Sequence, residues 1–90
     1  MEEQYTVKVP SPFLQRHSEE WDAAYIPLIQ GDAVGVSVKQ GAILKAGISL
    51  GWVEGVSINE IPGLEAWVVV ELSAQLFEGV TRGRMRPKKA

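Results

Sequence analysis

The sequence has no cysteine, a single histidine and no long apolar run, and each shortage excludes a class of protein. Without cysteine the chain can form neither a disulfide framework nor a thiolate metal site. Its uninterrupted apolar runs reach only about four residues, as in WVVV, which is too short to span a membrane. The first residues, MEEQYTVKVP, carry two acids where a signal peptide has a basic start. These absences predict a cytoplasmic protein with no membrane partner.

Basic residues are scarce everywhere except at the C-terminal end. The net charge of −2 combines two opposite parts of the chain. Residues 1–81 hold four basic residues against all eleven acids, a net charge of −7, and residues 82–90 hold five basic residues and no acid. An acidic body with a basic end is typical of a protein with an interaction arm.

Composition and hydrophobic periodicity indicate one mainly helical domain. The chain has 90 residues, of which 46% are apolar and 22% charged, as in small globular proteins. We predict a mainly α fold: a small three-helix domain (11–80) with an N-terminal extended arm or short strand (1–10) and a flexible basic C-terminal tail (81–90). The three helices are predicted near 12–26, 38–50 and 63–78.

Local signals define the ends of the first two helices. Ser11 followed by Pro12 predicts the start of the first helix, and Pro27 predicts its end. Residues 33–40 are ambiguous, because alternating valines fit a strand whereas a Ser37/Gln40 capping box fits a helix start. Gly51 predicts the end of the second helix.

The third helix carries more apolar surface than a small monomer can cover. Apolar residues sweep roughly 260° of its circumference, whereas a surface helix needs a stripe only somewhat wider than 100°. A second copy of the chain is the simplest cover, so we predict a homo-oligomer. The contact residues expected on this helix, for self or for another protein, are Trp67, Val70, Ala74 and Phe77. A buried strand centred on the three valines at 68–70 is the alternative interpretation.

Nothing in the sequence points to an active site. His17, the only histidine, lies between Phe13 and Trp21 on an apolar helix face, which favours a core histidine bonded to a backbone carbonyl. The stretch GDAVGVSVKQG lacks the spacing of a phosphate-binding loop. We therefore expect no catalytic residue, no metal site, no cofactor and no small-molecule substrate.

The basic tail, TRGRMRPKKA, has two functional interpretations besides simple solubility. Its five cations could contact nucleic acid weakly and without sequence preference, or dock on an acidic protein surface. Five phosphate contacts would give a salt slope of about −4.5, or roughly a 500-fold loss of affinity between 50 and 200 mM salt. No aromatic residue lies between the arginines to stack on bases. The residues concerned are Arg82, Arg84, Arg86, Lys88 and Lys89.

The segments AILKAGISLGWVEG and IPGLEAWVVVELSAQLFEG resemble parts of small accessory proteins of tailed bacteriophages and prophages, including tail-assembly chaperones. In those proteins a short helix closes on a Gly-Trp pair, and a loop then leads to a Trp-bearing amphipathic helix. The resemblance covers residues 11–80 and implies an assembly role through protein–protein contacts, without catalytic residues. It assigns no individual residue to a site.

The sequence thus predicts a small non-catalytic protein that binds protein, self-associates and serves in assembly. The alternative is a small nucleic-acid-binding regulator that uses the basic tail.

Overall fold

The structure is a computed structural model that describes residues 5–30 and 35–85. Within those residues the chain forms three α-helices, a two-stranded antiparallel sheet and two short 3₁₀ helices. The elements run in the order β1 (Thr6–Val7), α1 (Gln15–Tyr25), a 3₁₀ helix (Ile26–Leu28), α2 (Val36–Ser49), β2 (Val53–Glu54), a 3₁₀ helix (Ile58–Gly63) and α3 (Ala66–Arg84). The predicted mainly helical fold with a short N-terminal strand is confirmed.

The N-terminal segment is fixed by its pairing with β2. Thr6 lies opposite Glu54 and Val7 opposite Val53. The backbone N–H of Lys8 extends the pairing by donating to the Trp52 carbonyl at 2.7 Å. The arm therefore packs on the segment that follows α2.

The first helix begins three residues later than predicted, because Leu14 rather than Ser11 is the N-terminal cap. Leu14 has extended backbone angles (φ −89°, ψ 166°), and its N–H donates to His17 Nδ1 at 3.0 Å. The imidazole thus satisfies one of the backbone donors left free at a helix start. The predicted bond from His17 to a carbonyl is wrong, since its partner is an N–H. Helix α1 ends at Tyr25, just before the 3₁₀ helix that contains Pro27.

Residues from Val36 onward are helical, which resolves the ambiguity over the described part of 33–40. The predicted Ser37/Gln40 capping box is wrong, because Gly35 precedes the helix and no side chain caps it. The capping box forms instead in the next connection, where the Ser57 N–H donates to Glu60 Oε1 at 2.8 Å. That S-x-x-E pattern opens the 3₁₀ helix Ile58–Gly63, which precedes α3.

The end of α2 at Gly51 is confirmed. Gly51 has a φ of +80°, a backbone conformation that other residues rarely adopt. Its N–H donates to the Ile48 carbonyl, and the Trp52 N–H donates to the Gly47 carbonyl. These two bonds form a Schellman motif, which reverses the chain and directs Trp52 into the core.

Helix α3 is displaced toward the C-terminus relative to the prediction. Pro62 lies in the preceding 3₁₀ helix, and Glu65 is the cap of a helix that continues to Arg84. The strand alternative for residues 68–70 is wrong, since all three valines are helical. The predicted boundary between domain and tail, after residue 80, lies inside α3. The predicted cations Arg86, Lys88 and Lys89 are outside the described residues.

The core lies between one face of α3 and the helices α1 and α2. Leu44 of α2 and Leu76 of α3 are fully buried, and Trp21 is buried from α1. The Trp21 ring stacks on Trp52 with centroids 5.8 Å apart and planes at 8°, and on Tyr25 at 5.5 Å. This aromatic stack joins α1 to the segment that follows α2.

Candidate functional site

The four residues predicted as contact residues form one stripe on the outer face of α3. Trp67 is 59% exposed, Phe77 52% and Val70 44%, and Ala74 is exposed as well. Their spacings of three, four and three residues align them along one side of the helix. The structure therefore brings together the whole predicted set, which we call the α3 stripe.

The opposite face of α3 is the one that closes the core. Its buried apolar residues, one helical turn apart, are Val68, Leu72, Leu76 and Val80. Because these four belong to the buried core cluster, the α3 stripe lies outside the core of the described residues. A helix with two apolar faces and one core contact presents the second face to solvent.

Trp67 is held in a defined orientation despite its exposure. Its indole Nε1 donates to Glu65 Oε2 at 2.6 Å. Glu65 is also the N-terminal cap residue of α3, so the indole is anchored at the first turn of the helix. A large aromatic side chain that is ordered before binding loses less conformational entropy on contact, and tryptophan is enriched in binding hot spots.

An apolar cleft between α2 and α3 continues the stripe on one side. It is lined from α3 by Ala66, Val69 and Val70, from α2 by Ser37, Gln40 and Gly41, and from the intervening 3₁₀ helix by Ile61. Gly41 has no neighbour within 4 Å of the position where a Cβ would lie. Gly41 therefore borders the open space of the cleft.

A second groove borders the stripe on its other side. Trp67, Glu71 and Gln75 line it together with Tyr5 of the N-terminal segment. Sequence reasoning missed this groove, because it depends on the pairing of β1 with β2, which brings residue 5 beside α3. Trp67 thus belongs to both the stripe and the groove.

Charged groups flank the stripe along the same side as this second groove. Glu71, Gln75 and Glu78 form a polar edge of α3, and all three are exposed. Arg82 continues this edge and contacts Glu78 Oε2 through Nη2 at 2.8 Å. Both side chains of that pair are largely exposed, so the pair contributes little to stability.

The second predicted cation of the tail is attached to α1. Arg84 Nη2 donates to Asp22 Oδ1 at 2.6 Å and to the Ser18 carbonyl at 3.2 Å, and Arg84 Nε donates to Ser18 Oγ at 2.8 Å. Arg84 therefore joins the end of α3 to α1 and is not part of a free arm.

Glycine positions explain why the end of α3 packs so closely on the N-terminal segment. A Cβ at Gly79 would lie 2.6 Å from Val9 Cγ2, and one at Gly83 would overlap the Phe13 side chain. Residues 81–84 are consequently helical and docked, contrary to the predicted flexible tail from residue 81.

The described residues hold no cluster of metal-ligating side chains. Across residues 5–30 and 35–85, no group of three His, Asp or Glu side chains could hold a metal ion. His17 lies against aromatic rings, with its centroid 5.8 Å from Phe13 and 6.5 Å from Trp52. Its Nδ1 is occupied in capping α1.

Within the same described ranges, every helix is too short or too polar to cross a membrane. Comparisons of the chain with protein-family models, with curated proteins and with solved structures each gave no match.

Proposed function

We propose that this protein is non-catalytic and acts by binding protein, with copies of itself among its partners, through the α3 stripe. The observation that carries the proposal is the alignment of exposed Trp67, Val70 and Phe77 on a helix whose opposite face already closes the core. Exposed apolar residues that occur singly need no explanation, whereas a contiguous patch marks an interaction site.

The narrower form of the proposal is an assembly role in the cytoplasm, as the resemblance to phage accessory proteins implies. A rigid helical face with one anchored tryptophan suits an assembly contact, because it offers a preformed surface and no chemistry.

A nucleic-acid-binding role for the basic tail is the second candidate. Its support is the run of cations in the last nine residues. The contacts of Arg82 with Glu78 and of Arg84 with Asp22 count against it, because both cations already have acidic partners. Protein binding through the stripe is therefore the preferred function.

Sedimentation velocity of the intact chain over about two decades of micromolar concentration tests the proposal. We expect the mass to rise with concentration, and we expect Trp67→Ala/Phe77→Ala to remain monomeric over the same range. Val38→Ala is the matched control, because Val38 is also 59% exposed but lies on α2. This control should associate like the parent.

Circular dichroism should show the same helix content in all three proteins, since the substituted side chains are exposed. A monomeric mass for the parent at every concentration would refute self-association. Equal association of the double variant and the parent would remove the stripe from the interface.

A further inference from the structure

The residue spacing in the α3 stripe is the same in both chain directions. From Trp67 to Phe77 the steps are three, four and three residues, which read identically from either end. If a second α3 lies antiparallel with its centre level with residue 72, Trp67 lies level with the partner's Phe77. Val70 then lies level with the partner's Ala74. Each aromatic ring meets an aromatic ring, and the two smaller side chains meet in the middle, as a two-fold contact requires.

The charges along this part of the chain have the same antiparallel complementarity. Residues 58–71 contain three acids and no basic residue: Glu60, Glu65 and Glu71. Residues 78–90 contain five basic residues and one acid. Arg82 and Arg84 already contact Glu78 and Asp22 of their own chain, so the positive charge beyond these pairs is that of Arg86, Lys88 and Lys89. An antiparallel pair places the acidic end of each α3 beside the basic end of the other, whereas a parallel pair places like charges together. Opposed helix dipoles favour the same arrangement.

The exposed area of the stripe sets the strength of the contact. Aromatic side chains offer about 150–250 Å² each, so the exposed parts of Trp67, Phe77 and Val70 amount to roughly 300 Å² per copy. Two stripes together bury roughly 600 Å², about half the lower limit of a stable interface. The stripes alone would give a weak contact, so the charged ends must contribute if the contact is specific.

We infer that the occupant of the α3 stripe is a second copy of this chain, with the two α3 helices antiparallel and related by a two-fold axis near residue 72. The dimer is reversible and sensitive to salt. This inference rests on the proposed function and specifies the geometry of its contact.

The absence of cysteine allows the geometry to be tested with single introduced thiols. In the antiparallel pair, position 70 of one copy lies level with position 74 of the other. The same position in the two copies, 70 and 70 or 74 and 74, is offset by about 6 Å along the helix axis. A disulfide needs Cα atoms within about 7 Å. Facing Cα atoms of two packed helices are about 5 Å apart across the interface, because the axes lie about 8–10 Å apart and each Cα lies about 2.3 Å from its axis. The cross-pair is therefore within reach, whereas the self-pairs, with the added offset of about 6 Å along the axis, are about 8 Å apart and are disfavoured. Gln75→Cys, exposed on the neighbouring edge, reports random collision.

Mild oxidation of the mixed Val70→Cys and Ala74→Cys proteins should give at least about fivefold more disulfide-linked dimer than either variant alone. Peptide mapping should locate the bond between positions 70 and 74. Self-linkage of Val70→Cys at equal or greater yield would indicate a parallel pair and overturn the inference. Yields no higher than those of Gln75→Cys would also overturn it.

Sedimentation of the intact chain and of a chain that ends at Met85 tests the contribution of the charged ends to the dimer. Raising salt from about 50 to 200 mM should weaken the dimer of the intact chain at least threefold. Removal of Arg86, Lys88 and Lys89 should weaken the dimer at low salt and reduce this salt effect. Dimer affinity unaffected by both changes would overturn the charge-paired arrangement.

The outcomes separate this inference from the proposed function. Self-association that depends on Trp67 and Phe77 but links position 70 to itself leaves the function standing and refutes the antiparallel geometry. A chain that stays monomeric at all concentrations refutes both.

Discussion

At the scale of single residues, two glycines of α2 have opposite surroundings. A Cβ at Gly47 would lie 2.5 Å from Leu76 Cδ1 and 3.0 Å from Val53 Cγ2, both in the core. Leu76 is fully buried, so any shift of its side chain must be accommodated within the core. Gly41, less than two turns earlier, has nothing within 4 Å of the same position.

We therefore expect Gly47→Ala and Gly41→Ala to change stability in opposite directions. Overpacking should make Gly47→Ala less stable by about 1–3 kcal/mol. Gly41→Ala should gain up to about 1 kcal/mol, because alanine is the better helix former and meets no neighbour. Urea unfolding at low protein concentration measures both. Stabilisation by Gly47→Ala would mean that α2 and α3 separate more easily than the packing indicates.

Sequence reasoning succeeded for residues whose signal is local and failed where the partner is distant. Trp21 and the end of α2 at Gly51 follow from periodicity and from a single glycine. The attachment of Arg84 to Ser18 and Asp22 joins residues 66 and 62 positions apart, and no local pattern encodes it. His17 was correctly placed among aromatic side chains, but its capping bond depends on where α1 begins.

At the scale of elements, α3 shows how tertiary contacts extend a helix beyond its sequence signal. The run TRGR has two cations and a glycine, a composition that suggests a solvated tail. It is helical because Gly79 and Gly83 allow Val9 and Phe13 to pack against it and because Arg84 binds α1. Helical stability in proteins comes mostly from such packing and less from intrinsic propensity.

This extension predicts different stabilities for two truncated chains. A chain that ends at Val80 loses the packing of Phe13 on Gly83 and the contacts of Arg84, and we expect it to be less stable by about 1–3 kcal/mol. A chain that ends at Met85 keeps both and should match the intact chain within about 0.5 kcal/mol. Thermal and urea unfolding, again at low concentration, provide the comparison. Equal stability of the two truncated chains would show that residues 81–84 add nothing to the domain.

The composition of the candidate site was predictable, but its boundaries were not. The periodicity of α3 gave the four stripe residues, because an apolar arc wider than one core contact needs is visible in the sequence. The flanking grooves depend on Tyr5 and on the spacing between α2 and α3. The positions of both grooves depend on strand pairing and helix packing, which local sequence patterns do not predict.

At the scale of the whole molecule, shape explains why one face of α3 stays uncovered. The molecule measures 41 × 37 × 20 Å, and its shortest dimension equals about two helix diameters. In a domain of this thickness each helix has a side turned to solvent. Among residues 5–30 and 35–85, none of the helices covers the second apolar face of α3, so this face is available to another molecule.

The net charge of the body and the ion pairs of two arginines limit the binding of the basic end to nucleic acid. The body of the chain, residues 1–81, carries a net charge of −7, which repels a duplex. Of the five cations, Arg82 contacts Glu78 and Arg84 contacts Asp22. Only Arg86, Lys88 and Lys89 remain for phosphate contacts if those two ion pairs persist.

We accordingly expect labelled duplex DNA to bind weakly at about 50 mM salt and not at about 200 mM, with a logarithmic salt slope no steeper than about −3. A slope of about −4.5 would require all five cations on phosphates, so that Arg82 and Arg84 would have to leave their carboxylates. The chain that ends at Met85 is the control, because it keeps both ion pairs and loses the other three cations. Undiminished binding by this control would place the DNA contact on the folded body and reverse the order of the two proposed functions.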